Sequence, residues 1–451
     1  MSSQRDEVNR ELERRRELRQ KREAQRRKAE QERRNMLIRL ALAGMVLLGV
    51  TITIVAFAMG GGSFGDGESG ESLGGTTVPV QTEPAGTGGT GSVEEGSEYT
   101  TIHIAAAGDL IVTDQMIANA VTTLGYDFTN AFVDVAPVMS QADLTLLNYE
   151  GTFGGTEYGA QTGAAPGQLA QAMAAMGVDA VQTANSASIR SGVLGLQSTI
   201  QALRNAGIEP IGTFADSASF RSSGGYTVLE VKGLRIALVA FTKGMDNLGL
   251  PAGSEDCVNL LYEDYSTDYK KVDTERIERV LRNVREEQPD LTIAMVHWGS
   301  EYNEEISDSQ KKICKQLQEG GVDVIVGSHP HLVQKVDYDP VKKTLVAWSL
   351  GDFFGDAVMA GTGYSIILDL EITRDNATGE TFLSGWEYIP IFTLKPDQSA
   401  IGGHRVVRIR EAMERYEAGF LGRVTEDAYG DMEYALGRIE KRVNPPKEPN
   451  K

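Results

Sequence analysis

Two strand-length runs that stop at histidine constrain this chain more than anything else in it. Leu291-Thr-Ile-Ala-Met-Val296 leads straight into His297, and Val324-Ile-Val-Gly327 leads into His329 and His331. Runs so nearly apolar have no face to turn to water, so they read as strands buried on both sides, the kind found in parallel sheets covered by helices. Sheets of that type build their sites at the carboxyl ends of the strands, and three of the chain's five histidines stand there. Neutral imidazole is the commonest transition-metal ligand. Two histidines separated by one residue converge only where the backbone turns, which Pro330 encourages. A lone histidine at a strand end is usually hydrogen-bonded structure, whereas three together point to a metal site. His103 alternates with apolar residues in Thr101-Ile-His-Ile104 and His404 lies in a polar Gly-Gly-His-Arg stretch, so neither joins that set.

From Tyr99 onward strand patterns alternate with helical ones, which predicts one large α/β domain. Strands are expected at 102–107, 144–147, 180–183, 226–231, 235–241, 345–348 and 364–370, and helices at 167–176, 189–206, 274–287 and 309–319. Several of these strands also end in side chains able to bind a metal. The first ends in Gly108-Asp109, the second in Asn148-Tyr149-Glu150, the third in Ala184-Asn185. Asp109, Glu150, His297, His329 and His331 are therefore the candidate ligands. Carboxylates with imidazoles suit one or two divalent ions of Mn, Fe or Zn. A shared carboxylate is the usual way to hold two such ions about 3.5–4 Å apart for phosphate-ester hydrolysis. Alone, an Asp after a strand is commonly a turn residue or a helix cap.

The front of the chain is of another kind. Residues 1–36 are almost entirely Arg, Lys, Glu and Gln, a charged arm with no apolar stripe broad enough to pack. Residues 40–59 carry no charge at all; a helix of that length rises about 30 Å, the thickness of a bilayer's hydrocarbon. A single transmembrane helix is expected over 37–59. Arg33, Arg34 and Arg39 precede it, so the positive-inside rule keeps the amino terminus cytoplasmic and sends the remainder outside the cell membrane. The run is longer than a signal-peptide core, which favours an uncleaved anchor. Residues 60–98 are mainly Gly, Ser, Thr and Glu, a flexible tether with an r.m.s. reach of about 35 Å. The folded domain is expected at 99–405, with a helical extension and tail at 406–451.

Charge divides at the same place. The first 39 residues hold 14 Lys and Arg against 8 Asp and Glu, net +6, which leaves −25 on the rest of a chain whose total is −19. An exterior so acidic excludes nucleic acid as a partner, since that needs a basic footprint. A polyanion can bind it only at a locally cationic site. Cys257 and Cys314 are the only cysteines; they form no zinc motif, and whether they pair is left open by the sequence.

Six stretches together carry a resemblance. Ala107-Gly-Asp109, Leu147-Asn-Tyr-Glu150, Thr183-Ala-Asn185 with Gly192 and Gly195-Leu196, His297-Trp-Gly-Ser-Glu-Tyr302, Gly327-Ser-His-Pro-His331 and Ser349-Leu-Gly-Asp-Phe353 resemble, in order and spacing, the CapA family of poly-γ-glutamate capsule synthesis proteins, within the calcineurin-like metallophosphatase superfamily. The resemblance runs from about residue 101 to 390. It implies a four-layer αββα metallophosphatase-like sandwich, with Asp109 and Glu150 as carboxylate ligands and His297, His329 and His331 as imidazole ligands. The third motif departs from the pattern. Where the family has Ala-Asn-Asn-His, this chain has Ala184-Asn185-Ser186-Ala187, and alanine has no proton to give. Arg190 stands where that motif usually has Asp, and Asp352 replaces an Asn.

Two functions compete. In the first, a metal-dependent hydrolase or transferase acts on a phosphoester or an anionic cell-surface polymer during capsule synthesis. There Asn148, Asn185 or Asp352 supports the site, and Lys243 or Arg190 stabilises charge. In the second, a degenerate, non-catalytic relative binds such a polymer or a partner in a polymer-synthesis complex. An export role fits poorly, because a single apolar span has no polar face to line a path.

Overall fold

Every apolar run expected as a strand is one, and their pairing produces two sheets. In chain order the strands of these two large sheets, four two-residue strands aside, are β1 (Tyr99–Leu110), β2 (Leu144–Tyr149), β3 (Ala180–Gln182), β4 (Glu209–Ile211), β5 (Thr227–Val231), β6 (Leu234–Thr242), β7 (Leu291–His297), β8 (Val324–Ser328), β9 (Val336–Asp339), β10 (Thr344–Ala347), β11 (Asp352–Phe354), β12 (Tyr364–Asp375), β13 (Thr381–Leu394) and β14 (Arg405–Arg408). The longer helices are α1 (Gln168–Ala175), α2 (Gly192–Asn205), α3 (Thr274–Glu287), α4 (Asp308–Glu319), α5 (Ile409–Glu417) and α6 (Glu426–Arg442). This computed structural model describes residues 98–356, 359–399, 402–419 and 424–443. The charged arm, the apolar run at 40–59, nearly all of the tether and the end of the tail lie outside the described residues. Among the described residues no helix is long and apolar enough to cross a membrane.

The first sheet has the order β14-β13-β12-β1-β2-β3-β4, with β11 also paired to β1. Its β1-β2-β3-β4 half is parallel, and its β12-β13-β14 half is antiparallel. The second sheet has the order β9-β10-β8-β7-β6-β5, parallel from β6 through β7 and β8 to β10 and edged by an antiparallel strand on each side. In both sheets the parallel strands carry their carboxyl ends to one edge.

A repeated device sets the register. Asp143, Asp179, Asp290 and Asp323 each stand just before a parallel strand and exchange two hydrogen bonds with one residue of the neighbouring strand. Their carboxylates accept from the backbone N–H of His103, Thr145, Arg235 and Thr292 at 2.7–2.9 Å. Their own N–H groups donate to the carbonyls of those same residues at 2.8–3.0 Å. A one-residue slip in a strand would break both bonds of its latch and turn its side chains to the other face.

Packing stacks four layers. Inward side chains of both sheets, among them Ile102, Ile104, Leu146, Leu238, Met295 and Val326, share one buried core. Ala105, Leu147, Val181 and Ile367 on the outer face of the first sheet pack with Leu169 and Met173 of α1. Val239, Ala294 and Ile325 on the outer face of the second sheet pack with α3 and α4. Helix α3 shows why its sequence had to be a helix. Ile277, Val280, Leu281 and Val284 recur at helical spacing and are all buried, each contributing about 1.5–3 kcal/mol. Asp273 caps its first turn by accepting from Arg276 N–H at 2.9 Å.

The structure extends the expected elements where pairing overrides local pattern. Strand β13 is 14 residues long although Gly385 and Pro390 interrupt its sequence. Pro390 sits just outside the pairing with β14, which begins at Ile391, so its missing N–H leaves no gap in that ladder. The helical extension expected from 406 is part of the same core: Ala428, Met432, Ala435 and Ile439 of α6 are buried with the inward faces of the sheets. Cys257 and Cys314 are both free and buried.

Candidate metal centre

Register brings the candidate residues to one edge. Asp109 pairs with Asn148 of β2 on one side and with Asp352 of β11 on the other. On the second sheet His297 pairs with Thr242 of β6 and with Ser328 of β8. Two glycines allow the close approach. A Cβ on Gly108 would lie 1.9 Å from the Gly351 carbonyl oxygen, and one on Gly327 would lie 2.0 Å from that of Trp348. Any other residue at either place would push apart strands whose ends carry the site.

The turn after β8 is made by the histidines themselves. His329 and His331 have φ of 90° and 58°, a left-handed backbone that non-glycine residues adopt at a cost of order 1–3 kcal/mol each. Pro330 between them is confined to negative φ. The result sets the His297 and His329 rings 4.5 Å apart and the His329 and His331 rings 6.0 Å apart, centroid to centroid.

The carboxylate side is braced by hydrogen bonds. Asn148 donates to Asp109 Oδ1 at 2.7 Å, and the N–H of His329 donates to Asp109 Oδ2 at 3.1 Å. Asn185 in turn donates to Asn148 Oδ1 at 3.0 Å and to the Tyr149 carbonyl at 2.6 Å. The Ser186 hydroxyl donates to Glu150 Oε1. Asp352 Oδ1 holds His331 Nδ1 at 2.8 Å, and Ser328 Oγ lies 3.2 Å from His297 Nδ1.

Three ligand atoms are left over. Glu150 Oε2, His297 Nε2 and His329 Nδ1 are buried without a hydrogen-bond partner among the described residues. Such orphans cost about 1–3 kcal/mol each unless something binds them. Together Glu150, His297 and His329 place one ligand atom each within 4.8 Å of one another, and so do Asp109, Glu150 and His331. Glu150 belongs to both groups. Glu301, exposed in the loop after β7, forms a third group with His329 and His331.

Electrostatics agrees with a cation's place. Burial pushes the Asp109 carboxyl up, Glu150 up to about 8 and Asp352 up to about 6, against the pull of the His331 imidazolium. Burial lowers His331, but the Asp352 hydrogen bond and the charges of Asp352, Glu150 and Asp109 outweigh it and raise it to about 10. A salt-bridged Asp would ordinarily fall as its His rises. Here both rise, because burial outweighs the imidazolium's pull on Asp352 while the three carboxylates outweigh burial at His331. Burial, with nearby positive groups, drives His297 and His329 well below the usual histidine range, so both are neutral and able to coordinate.

Of the supporting residues expected, Asn148, Asn185 and Asp352 join this network. Lys243 reaches its rim: its Nζ donates to the Gly299 carbonyl at 2.8 Å and lies 4.7 Å from the Tyr269 ring centre. Arg190 is exposed, and its side chain runs against Gly163. Ala187 is fully buried, its N–H donating to Asn185 Oδ1 at 3.1 Å. Sequence reasoning missed Glu301 and Tyr302 as neighbours of the site, although both lie in the quoted motif at 297–302. The Tyr302 ring stacks on His331 with centroids 5.5 Å apart.

The model of the bacterial capsule synthesis protein PGA_cap family matches residues 103–357, which include every one of these ligand candidates. The chain belongs to that family. Family relatives include the capsule biosynthesis protein CapA of Bacillus anthracis, 26% identical over 245 residues, which make up 53% of this chain and 55% of that protein. The PGA biosynthesis protein CapA of Bacillus subtilis is 24% identical over 213 residues, 45% of this chain and 49% of that one. The chain thus spans about half the length of the curated relatives it matches. Among solved structures it is similar to the calcineurin-like phosphoesterase YfkN of Bacillus subtilis, at 14% identity and a TM-score of 0.40 over 76% of this chain and 97% of that one. A phosphatase from Mycoplasma pneumoniae is 16% identical with a TM-score of 0.40, over 65% and 94%.

Proposed function

We propose that this chain is a membrane-anchored, extracytoplasmic, metal-dependent hydrolase or transferase acting on a phosphoester or an anionic surface polymer in capsule synthesis. The observation that carries the reading is the sharing of Glu150 by two three-ligand groups, in one of which each of Glu150, His297 and His329 has an orphaned ligand atom. Glu150, His297 and His329 would hold one divalent ion of Mn, Fe or Zn, and Asp109, Glu150 and His331 a second. When bound, such ions supply Lewis acidity and activate water at neutral pH. The residues around them have separate tasks. Asn148 and the His329 N–H fix both oxygens of Asp109. Asp352 fixes the ring of His331. Lys243, whose ammonium is lowered by burial and raised by Glu301 and Asp246, offers a positive charge at the rim for an anionic substrate. Anchorage rests on the uncharged run at 40–59 and the arginines before it. The capsule assignment draws on the named roles of the two Bacillus relatives.

Metal analysis of the full-length protein, purified in detergent, is the test. One or two equivalents of Mn, Fe or Zn support the reading, and none overturns it. The second reading, a binding module without turnover, is favoured by Ala187, which leaves no acid at the place where the family carries histidine. Changing Ser186→Asn and Ala187→His should raise metal-dependent hydrolysis of an alkyl phosphate by about tenfold or more, the low end for a general acid. A folded, metal-loaded double variant that stays inert would decide for the binding module.

A further inference from the structure

Helix α6 lies beyond the residues matched by the family, yet it reaches the site. Its apolar face is buried in the common core, and its last two turns present Arg438 and Arg442 to Glu304, in the loop that follows β7. Arg438 Nη2 bonds both Glu304 oxygens, at 2.7 and 2.9 Å. Arg442 pairs with Glu304 through Nη2 and donates through Nη1 to the Val333 carbonyl at 2.9 Å. One guanidinium therefore joins the loop after β7 to the segment after His331. Two further bonds close the same seam: Tyr302 N–H donates to the Pro330 carbonyl at 2.9 Å, and Gln334 Nε2 donates to the Asn303 carbonyl at 2.9 Å.

The stapled loop holds the two residues that face the site from outside. Tyr302 has a φ of 57° and stacks on His331, and Glu301 places a carboxylate oxygen within 4.8 Å of ligand nitrogens on His329 and His331. Within 301–302 that conformation is held by the Tyr302 N–H bond to Pro330 and the stacking on His331, both on an exposed segment. Glu301 is exposed and Tyr302 is 45% exposed, and a strained backbone persists only where its surroundings impose it. Arg442 is the best placed to impose it, since its side chain is only 11% exposed and its planar fork can bond two acceptors at once.

The geometry points to Arg442, backed by Arg438 and Glu304, as a positioning residue that holds Glu301 and Tyr302 over the centre, making the carboxyl-terminal helix part of the functional unit. This rests on the metal reading for its purpose but not for its detection. Hydrogen exchange of the full-length protein in detergent, without added metal, tests it. Arg442→Ala should speed exchange across 299–306 by about tenfold or more while 291–297 keeps its protection. Arg442→Lys should have a smaller effect, because an ammonium lacks the fork. Glu304→Gln, a change at a half-exposed carboxylate, carries the test if Arg442→Ala does not fold. Unchanged exchange across 299–306, or a rise spread evenly over the chain, overturns the inference. Titration with Mn2+ is the second arm. If the wild type binds and Arg442→Ala binds about three- to tenfold more weakly, the clamp serves the centre, as expected of an outer-shell support; equal affinity removes that purpose. A wild type that binds none of Mn2+, Fe2+ and Zn2+ sinks the proposed function while the exchange result still decides the clamp.

Discussion

The two ends of the parallel strands use carboxylates for opposite purposes. At the amino ends Asp143, Asp179, Asp290 and Asp323 are latched to neighbouring backbone with donor and acceptor both matched. At the carboxyl ends Asp109, Glu150 and Asp352 crowd together, and three ligand atoms around them lack partners. The first set hold register, and their work is finished when the chain has folded. The second set remain short of positive charge, which is the condition for recruiting it. What separates a structural carboxylate from a functional one here is therefore the accounting of its bonds, since Glu150 is half-buried just as Asp143, Asp290 and Asp323 are.

The sharpest way to break this comparison is to change each end and measure metal. His329→Ala or His331→Ala should weaken binding by about 100-fold or more, the loss of one ligand from a site of three. Asp323→Ala or His103→Ala should leave affinity within a factor of about two. Loss of metal from Asp323→Ala would show that the two ends are not independent.

Acid should act on the carboxyl end first. With Glu150 raised to about 8 in the metal-free protein and His297 and His329 already neutral, binding at the group of these three must displace only the Glu150 proton below that pH, and its affinity should fall about tenfold per unit from pH 8 to pH 6. The stability of the metal-free protein should move the other way. A carboxyl whose folded value lies above its unfolded one contributes stability below the unfolded value and loses it as pH rises through the folded one. The Glu150 contribution should thus lower the metal-free melting temperature between about pH 5 and 8 and level off above, and bound metal should abolish that decline. A flat profile in both forms would contradict the assignment of Glu150.

At the amino end the effect is on stability alone. Asp323→Ala strips the Thr292 N–H of its acceptor and should cost about 1–3 kcal/mol in denaturant unfolding. Lys232→Ala, which removes only a partly exposed partner of Asp143, should cost less than about 1 kcal/mol. If Lys232→Ala matched Asp323→Ala, ion pairing would be holding the register, and the backbone latch would lose its role.

How much of this was legible follows the same division. The apolar runs showed where the parallel strands lie, and the histidines after them showed which end carries the site. Helix α3 was legible to the residue, because its apolar spacing and its Asp273 cap are both local. The latches were written as an Asp one position before four apolar runs, a recurrence that the expected element boundaries passed over. Glu301 was hidden because an exposed glutamate in a loop looks like any solvated charge, and only folding brings it to His329 and His331. Strand β13 was hidden because its order comes from β12 and β14, not from alternation of its own. Arg190 was included by its place in a motif, while its exposed side chain lies against Gly163.

The two cysteines have a further consequence. Cys257 is buried in the core between the sheets and Cys314 in the core beneath α3 and α4, on the far side of the second sheet. Burial raises both thiols, Cys314 to about 11, so at neutral pH neither offers the thiolate that oxidation and exchange require. The two cannot meet without dismantling the sheet that separates them. The described fold therefore holds without a disulfide between Cys257 and Cys314.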